Sequence, residues 1–96
     1  MPSYRVVLAV GVLERGVDPA RVLPTAADAV AELATVEANE IGVVRGQARI
    51  TVRFMADTDV DAARVGQHVY HRIDGLAETS PPRITRRWGN RWHPLR

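Results

Sequence analysis

The segment Ile41–Met55 constrains the fold more than any other part of this chain, because it predicts a β-hairpin in a single register. Arg45 and Gly46 are expected to form a two-residue turn, which places Ile41 opposite Ile50. Side chains alternate along a strand, so this register separates an apolar face from a more polar one. The apolar face contains Ile41, Val43, Ala48, Ile50, Val52 and Phe54, and the other face contains Glu40, Val44, Gln47, Arg49, Thr51 and Arg53. A slip of one residue would mix the two sets, so the register is well specified.

The composition indicates one small globular domain. The chain has 96 residues, of which 46% are hydrophobic, and it contains no Cys. Disulfides, thiolate chemistry and sulfur-ligated metal sites are therefore excluded. No apolar run approaches the roughly 18 residues that a membrane-spanning helix requires, and Met1–Tyr4 lacks the basic region of a signal peptide. These features predict a cytoplasmic protein with no membrane partner.

Positive charge is concentrated near the C-terminus. All 13 basic residues are Arg. Residues 1–75 contain eight Arg and ten acidic residues, a net charge of −2, whereas residues 76–96 contain five Arg and the single acid Glu78, a net charge of +4. The basic character of the protein therefore belongs to its C-terminal segment, where it can act on an acidic partner.

Two further strands are predicted outside the hairpin. Tyr4–Leu13 is a nearly continuous apolar run, which is typical of a central strand covered on both faces. Arg83–Trp88 is a candidate last strand, which follows the break at Ser80-Pro81-Pro82 and precedes a turn at Gly89-Asn90.

Two helices are predicted between these strands. Because Pro19 and Pro24 allow Pro19–Leu23 at most one short helical turn, the first helix is expected to begin at Thr25 and to end near Thr35. Asp28 would complete a capping box with Thr25. The second helix is expected to open within Asp57–Asp61 and to stop at Gly75.

This order of elements is that of a ferredoxin-like βαββαβ domain, which belongs to the α+β class. Such a domain has a four-stranded antiparallel sheet in the order 4-1-3-2, with both helices on one face. The prediction is one ferredoxin-like domain over residues 1–90, followed by a basic C-terminal tail over residues 91–96.

The face of the sheet away from the helices poses a conflict. Glu40, Arg49, Thr51 and Arg53 suit contact with water, whereas Val7, Leu13 and Val44 do not. Either two copies cover each other's sheets as a homodimer, or the C-terminal tail folds back over its own sheet. Both alternatives remain open from the sequence.

The C-terminal segment and the hairpin supply the candidate binding residues. Guanidinium groups pair with phosphates in two-point contacts, and indole rings stack on unpaired bases, so a mixture of Arg and Trp suits single-stranded nucleic acid. The same residue types are enriched at protein interfaces. The candidate residues are Arg49, Arg53, Arg83, Arg86, Arg87, Trp88, Arg91 and Trp92.

Catalytic and metal-binding signals are weak. His68 and His71 lie three residues apart on the second predicted helix and, with Asp61 or His93, are the weak candidates for a metal site. Fixed cations beside them oppose a bound metal, so no metal is assigned. No catalytic residue and no cofactor is assigned either, although a base such as His68 leaves a cofactor-free enzyme of the dimeric α+β barrel type open.

Three functional hypotheses follow. The first is a non-enzymatic binding or assembly module that self-associates through its sheet face and the Arg/Trp segment. The second is binding of single-stranded RNA or DNA through Arg83–Arg91 with Trp88 and Trp92. The third is a small-molecule-binding protein or enzyme that uses a cavity near the two histidines.

Overall fold

The computed structural model describes residues 1–95 and has an α+β fold with two helices and a six-stranded antiparallel sheet. The strands are β1 (Ser3–Leu13), β2 (Thr35–Val44), β3 (Gln47–Met55), β4 (Ala77–Thr79), β5 (Arg83–Trp88) and β6 (Arg91–Pro94). The helices are α1 (Val22–Ala31), which follows a 3-10 turn at Pro19–Arg21, and α2 (Asp59–Asp74). The strands lie in the order β2-β3-β1-β5-β6, and β4 pairs with the far end of β1.

The α+β class is confirmed, but the predicted four-stranded ferredoxin-like sheet is wrong. The chain after α2 forms three strands instead of one. Pro81 and Pro82 separate β4 from β5, because a proline has no backbone N–H to donate to a strand ladder. Gly89, with a φ of 60°, then reverses the chain so that β6 pairs with β5.

The predicted register of the hairpin is confirmed. Ile41 pairs with Ile50, and Val44 pairs with Gln47. Arg45 and Gly46 have φ values of 53° and 78°, as a type I′ turn requires at both central positions. The strand before the turn is longer than expected, since it begins at Thr35 and not near Ile41. It contains a bulge at Glu37.

Helix α1 differs from its prediction. It begins at Val22 and ends at Ala31, and Arg21 caps it without a side-chain hydrogen bond, so the capping box at Thr25 is wrong. Pro24 is tolerated because it is the third helical residue, where a backbone N–H has no partner within the helix.

Helix α2 is close to its prediction. The hydroxyl of Thr58 accepts a hydrogen bond of 3.1 Å from the backbone N–H of Asp61, and Gly75 is the C-cap. Asp59 and Asp61 lie in the first turn, where acidic side chains favour the positive end of the helix dipole. No helix in residues 1–95 combines the length and the apolar character needed to cross a bilayer.

The core lies between the helices and one face of the sheet. Alternate residues of β1, namely Tyr4, Val6, Leu8 and Val10, are buried there with Ile50, Val52 and Phe54 of β3. The helices contribute Ala26, Ala29, Val30, Ala62, Val65, Val69 and Ile73. Small residues are common on the helices, and at Gly66 of α2 the helix lies so close to Ile84 of β5 that a Cβ atom would not fit. Within residues 1–95 the core contains no buried polar or charged residue.

The apolar face of the hairpin is only partly covered. Ile50, Val52 and Phe54 are buried, whereas Ile41 and Val43 are exposed. The opposite face of the sheet, which we call the open face, carries no helix. The C-terminal segment does not fold across this face, because Arg91–Pro94 extends the sheet at its edge as β6.

Candidate functional site

Strand alternation divides the predicted Arg/Trp patch between the two faces of the sheet. Arg86 pairs with the core residue Tyr4 and therefore faces the helices, as do Trp88 and its partner Arg91. Arg83, Arg87 and Trp92 lie on the open face together with Arg49 and Arg53 of β3. The eight candidate residues therefore form one group of five and a second group of three.

Arg5 joins the open-face group, although the sequence patterns did not single it out. It stands directly opposite Arg53 in the β1–β3 register. Its guanidinium carbon lies 4.0 Å from the ring centroid of Trp92, which is a cation–π contact. The signal that could have identified it is strand alternation, because Arg5 directly follows the core residue Tyr4 and therefore lies on the opposite face of β1.

The open face therefore carries a cluster of five arginines, which we call the Arg cluster. It comprises Arg5, Arg49, Arg53, Arg83 and Arg87. Within residues 1–95, carboxylates do not come within 4.0 Å of these guanidinium groups except at Arg53, whose Nε lies 3.9 Å from Oε1 of Glu37. The positive charge of the cluster is mostly uncompensated by ion pairs.

The arginine side chains of β3 are partly buried on the open face. The Nε atoms of Arg49 and Arg53 are buried and make no hydrogen bond within the described residues. Arginine stems commonly pack over apolar atoms while their charged ends reach water, and the side chain of Arg53 keeps 35% of its surface exposed. This accounts for part of the conflict posed by Val7, because the neighbouring side chains leave it half-buried.

Two shallow concavities flank the cluster on the open face. One has a volume of about 220 Å³ and is lined by Arg5, Ala38, Asn39, Glu40, Thr51 and Arg53. The other has a volume of about 240 Å³ and is lined by Val7, Ala9, Gln47, Arg49, Ser80 and Arg83. Each presents two arginines beside a hydroxyl residue, with the Glu40 carboxylate in the first concavity and the Gln47 amide in the second.

Arg86 is already engaged on the helix side of the sheet. Its Nη1 donates a hydrogen bond of 2.9 Å to Oδ1 of Asp59, which also accepts one of 2.7 Å from the hydroxyl of Tyr4. The guanidinium group lies 4.0 Å from the ring centroid of Trp88. Arg86 thereby fastens β5 to the first turn of α2, whereas Trp88 is 57% exposed.

The charges in this arrangement shift two pKa values. Burial, followed by the hydrogen bond to Asp59, raises the pKa of Tyr4 to about 12. The hydrogen bonds from Tyr4 and then Arg86 lower the pKa of Asp59 below its ordinary value. Both groups hold their neutral-pH charge states over a wide pH range.

The two histidines of α2 are not arranged as metal ligands. Nε2 of His68 lies 2.8 Å from Oε1 of Glu32, and Arg72 also donates to that carboxylate. These hydrogen bonds, with that of His68 first, lower the pKa of Glu32. His71 packs edge-on against Tyr70. Within the described residues, no group of three or more His, Asp or Glu side chains could hold a metal ion.

A larger groove lies at the end of the sheet where β3 leads into α2. It has a volume of about 530 Å³ and is lined by Met1, Leu33, Ala34, Thr35, Met55, Ala56, Asp57, Asp61, Arg64 and Val65. It contains neither histidine of α2, so it does not provide the cavity expected by the enzyme hypothesis. The groove has no nucleophile paired with a base.

No protein-family model matches the chain, and no curated protein and no solved structure resembles it significantly.

Proposed function

We propose that this protein binds single-stranded nucleic acid on the open face of its sheet. The observation that carries the proposal is the direct cross-strand pairing of Arg5 with Arg53 inside the Arg cluster. Like charges directly opposite each other destabilise a sheet. Arg5 extends over Trp92 of β6 whereas Arg53 points towards Glu37 of β2, so the two side chains diverge, and bound phosphates would offset the repulsion that remains between them.

The shape of the face favours an extended polyanion. The Arg cluster extends over β3, β1 and β5, and two residues along a strand span about 6.7 Å. The guanidinium groups thus occupy a broad, shallow surface on which several phosphates of one strand can bind in succession.

Stacking groups favour nucleic acid over other polyanions. Guanidinium planes and indole rings both accept stacked bases, and the pair Arg5–Trp92 presents the two together. Trp92 is the single aromatic residue on this face within residues 1–95. We therefore expect affinity to come mainly from phosphate contacts, with little preference for base sequence.

Self-association through the same face, predicted as the first hypothesis, is less favoured by the geometry. Two copies placed face to face would bring two Arg clusters together, against only the acids Glu37, Glu40 and Glu78 on that side. Face-to-face association of two copies stays a prediction. The cytoplasmic location also stays a prediction.

The proposal is tested by fluorescence anisotropy with a labelled single-stranded oligonucleotide over a series of salt concentrations. We expect affinity to fall steeply with salt, and the double variant Arg5→Gln/Arg53→Gln to reduce the salt slope by about 1.4, which is about 0.7 for each lost phosphate contact. The control Arg15→Gln/Arg21→Gln removes the same charge from exposed positions outside the sheet.

The control separates a local site from general attraction. Equal weakening by both double variants would show that net charge alone drives binding and would contradict the proposal. Affinity that does not depend on salt would contradict it as well.

A further inference from the structure

The two edges of the sheet differ in how well they are protected against pairing with another strand. One edge is β6, which has four residues and contains Arg91 and Pro94. Short length, charge and proline are the features that keep an edge strand from pairing. The other edge is β2, which has ten residues, no proline and no basic residue.

Part of β2 also exposes apolar side chains. After the bulge at Glu37 the strand runs without interruption to Val44. On the helix side of the sheet, Ile41 is 53% exposed and Val43 is 73% exposed, because α1 does not extend over them. An edge strand with unpaired backbone groups and exposed apolar residues is a template for β-strand addition.

We propose that β2 pairs antiparallel with β2 of a second copy, about a two-fold axis at Gly42. A two-fold axis perpendicular to the sheet keeps the helices of both copies on the same side. Residues that lie opposite each other across the joint then have side chains on the same face of the sheet. With the axis at Gly42, Ile41 lies opposite Val43 of the partner subunit, and this apolar pair occurs twice.

Glu40, one of the two acidic residues of β2, excludes the two nearest alternative axes on its side of Gly42. An axis at Glu40 would place the two Glu40 carboxylates directly opposite each other, and an axis at Ile41 would leave them diagonal neighbours on one face. An axis at Gly42 places Glu40 opposite Val44 of the partner subunit and separates the two Glu40 positions by four residues, about 13 Å along the strands. A Cβ atom added at Gly42 would meet no other atom within 4 Å, so the surface of the strand is open at the axis.

The pairing would join two sheets into one of twelve strands with both open faces on the same side. It differs from association of the open faces, because the Arg clusters would lie side by side instead of against each other. It also does not depend on nucleic-acid binding, since its apolar contact between Ile41 and Val43 of the partner subunit lies on the helix side of the sheet.

The first test is the mass of the protein in solution, by sedimentation or light scattering at high micromolar concentration. We expect a dimer, and we expect Val43→Lys to convert it to a monomer because a charge replaces an apolar contact at the joint. The matched control is Val60→Lys, which changes a 68%-exposed valine of α2 and should leave the dimer intact. A monomeric wild-type protein, or a dimer that survives Val43→Lys, overturns the proposal.

The second test measures the register by disulfide formation, because the chain has no Cys of its own. Cα atoms on opposite strands are about 4.5–5.5 Å apart, within the range that a disulfide spans. Gly42→Cys should therefore form a covalent dimer under mild oxidation, whereas Glu40→Cys should not. Cross-linking of Glu40→Cys in place of Gly42→Cys overturns the axis at Gly42.

Discussion

The hydroxyl of Tyr4 donates a hydrogen bond of 2.7 Å to Oδ1 of Asp59, which joins the central strand β1 to the first turn of α2. Arg86 donates to the same oxygen from β5. One carboxylate thus ties together a strand near the chain's start, a helix and a strand near its end. The ring of Tyr4 is buried against Phe54, with 5.8 Å between the ring centroids.

Replacement of this tyrosine should change how stability depends on alkaline pH. Tyr4 ionises near pH 10 in an unfolded chain, whereas its pKa in the folded protein is raised to about 12. The stability linked to this proton is complete below about pH 10 and is lost as the pH rises towards about 12. Tyr4→Phe should lower stability at neutral pH and flatten this alkaline decline. Urea denaturation across that range, with Tyr70→Phe as the control, measures both effects.

The packing of β5 on α2 predicts an energetic coupling between Gly66 and Ile84. A Cβ atom at position 66 would lie 2.3 Å from Cδ1 of Ile84, so Gly66→Ala forces that side chain to move. Overpacking of this kind costs about 1–3 kcal/mol, partly offset by the roughly 1 kcal/mol that Ala gains over Gly in a helix.

Ile84→Val removes Cδ1 and should therefore relieve the clash. On its own it should destabilise the protein by about 0.5–1.5 kcal/mol, but in the Gly66→Ala background it should cost less or stabilise. Urea denaturation of the two single variants and the double variant gives the coupling energy. Strict additivity would contradict the predicted contact.

The contact of Glu32 with His68 and Arg72 predicts an acid-sensitive link between the helices. The pKa of Glu32 is lowered in the folded protein, so its contribution is present above its unfolded pKa of about 4.3 and is lost as the pH falls through the lowered value. Glu32→Gln should reduce the melting temperature at neutral pH and have little effect in acid. Thermal melts at both pH values check this, with exposed Glu14→Gln as the control and added salt expected to shrink the difference.

The hairpin turn predicts opposite effects for two substitutions. Gly46 has a φ of 78°, so Gly46→Ala should destabilise the protein by about 1–2 kcal/mol. Arg45 also has a positive φ, and Arg45→Asn should stabilise the turn because Asn tolerates that conformation. Gly75→Ala is the control, since Gly75 has a φ of −73° and lies outside the hairpin. Chemical denaturation ranks the three variants.

The separation of the two tryptophans onto opposite faces predicts different fluorescence responses. In Trp88→Phe the remaining indole is Trp92 on the open face, and a single-stranded oligonucleotide should quench its emission at low salt. In Trp92→Phe the remaining Trp88 packs with Arg86 on the helix side and should respond little. Quenching of Trp88 alone would place the nucleic acid on the helix side of the sheet and would contradict binding on the open face.

Local patterns in the sequence determined much of the fold. The register of the β2–β3 hairpin, the turn at Arg45-Gly46 and the extent of α2 follow from alternation, turn chemistry and helix caps. These signals act between residues that are close in sequence, so they are readable without knowledge of the tertiary structure. The strong basic character of the C-terminal segment is likewise a property of the sequence alone.

Tertiary structure decided which residues share a face. The sequence grouped Arg86 with Arg87, but pairing of β5 with β1 sends their side chains to opposite sides of the sheet. The same pairing brings β6 to the edge, so that Trp92 contacts Arg5 from the other end of the chain. Such pairings depend on which distant strands can satisfy each other's hydrogen bonds and bury a common apolar face, and neither condition is written in any one segment.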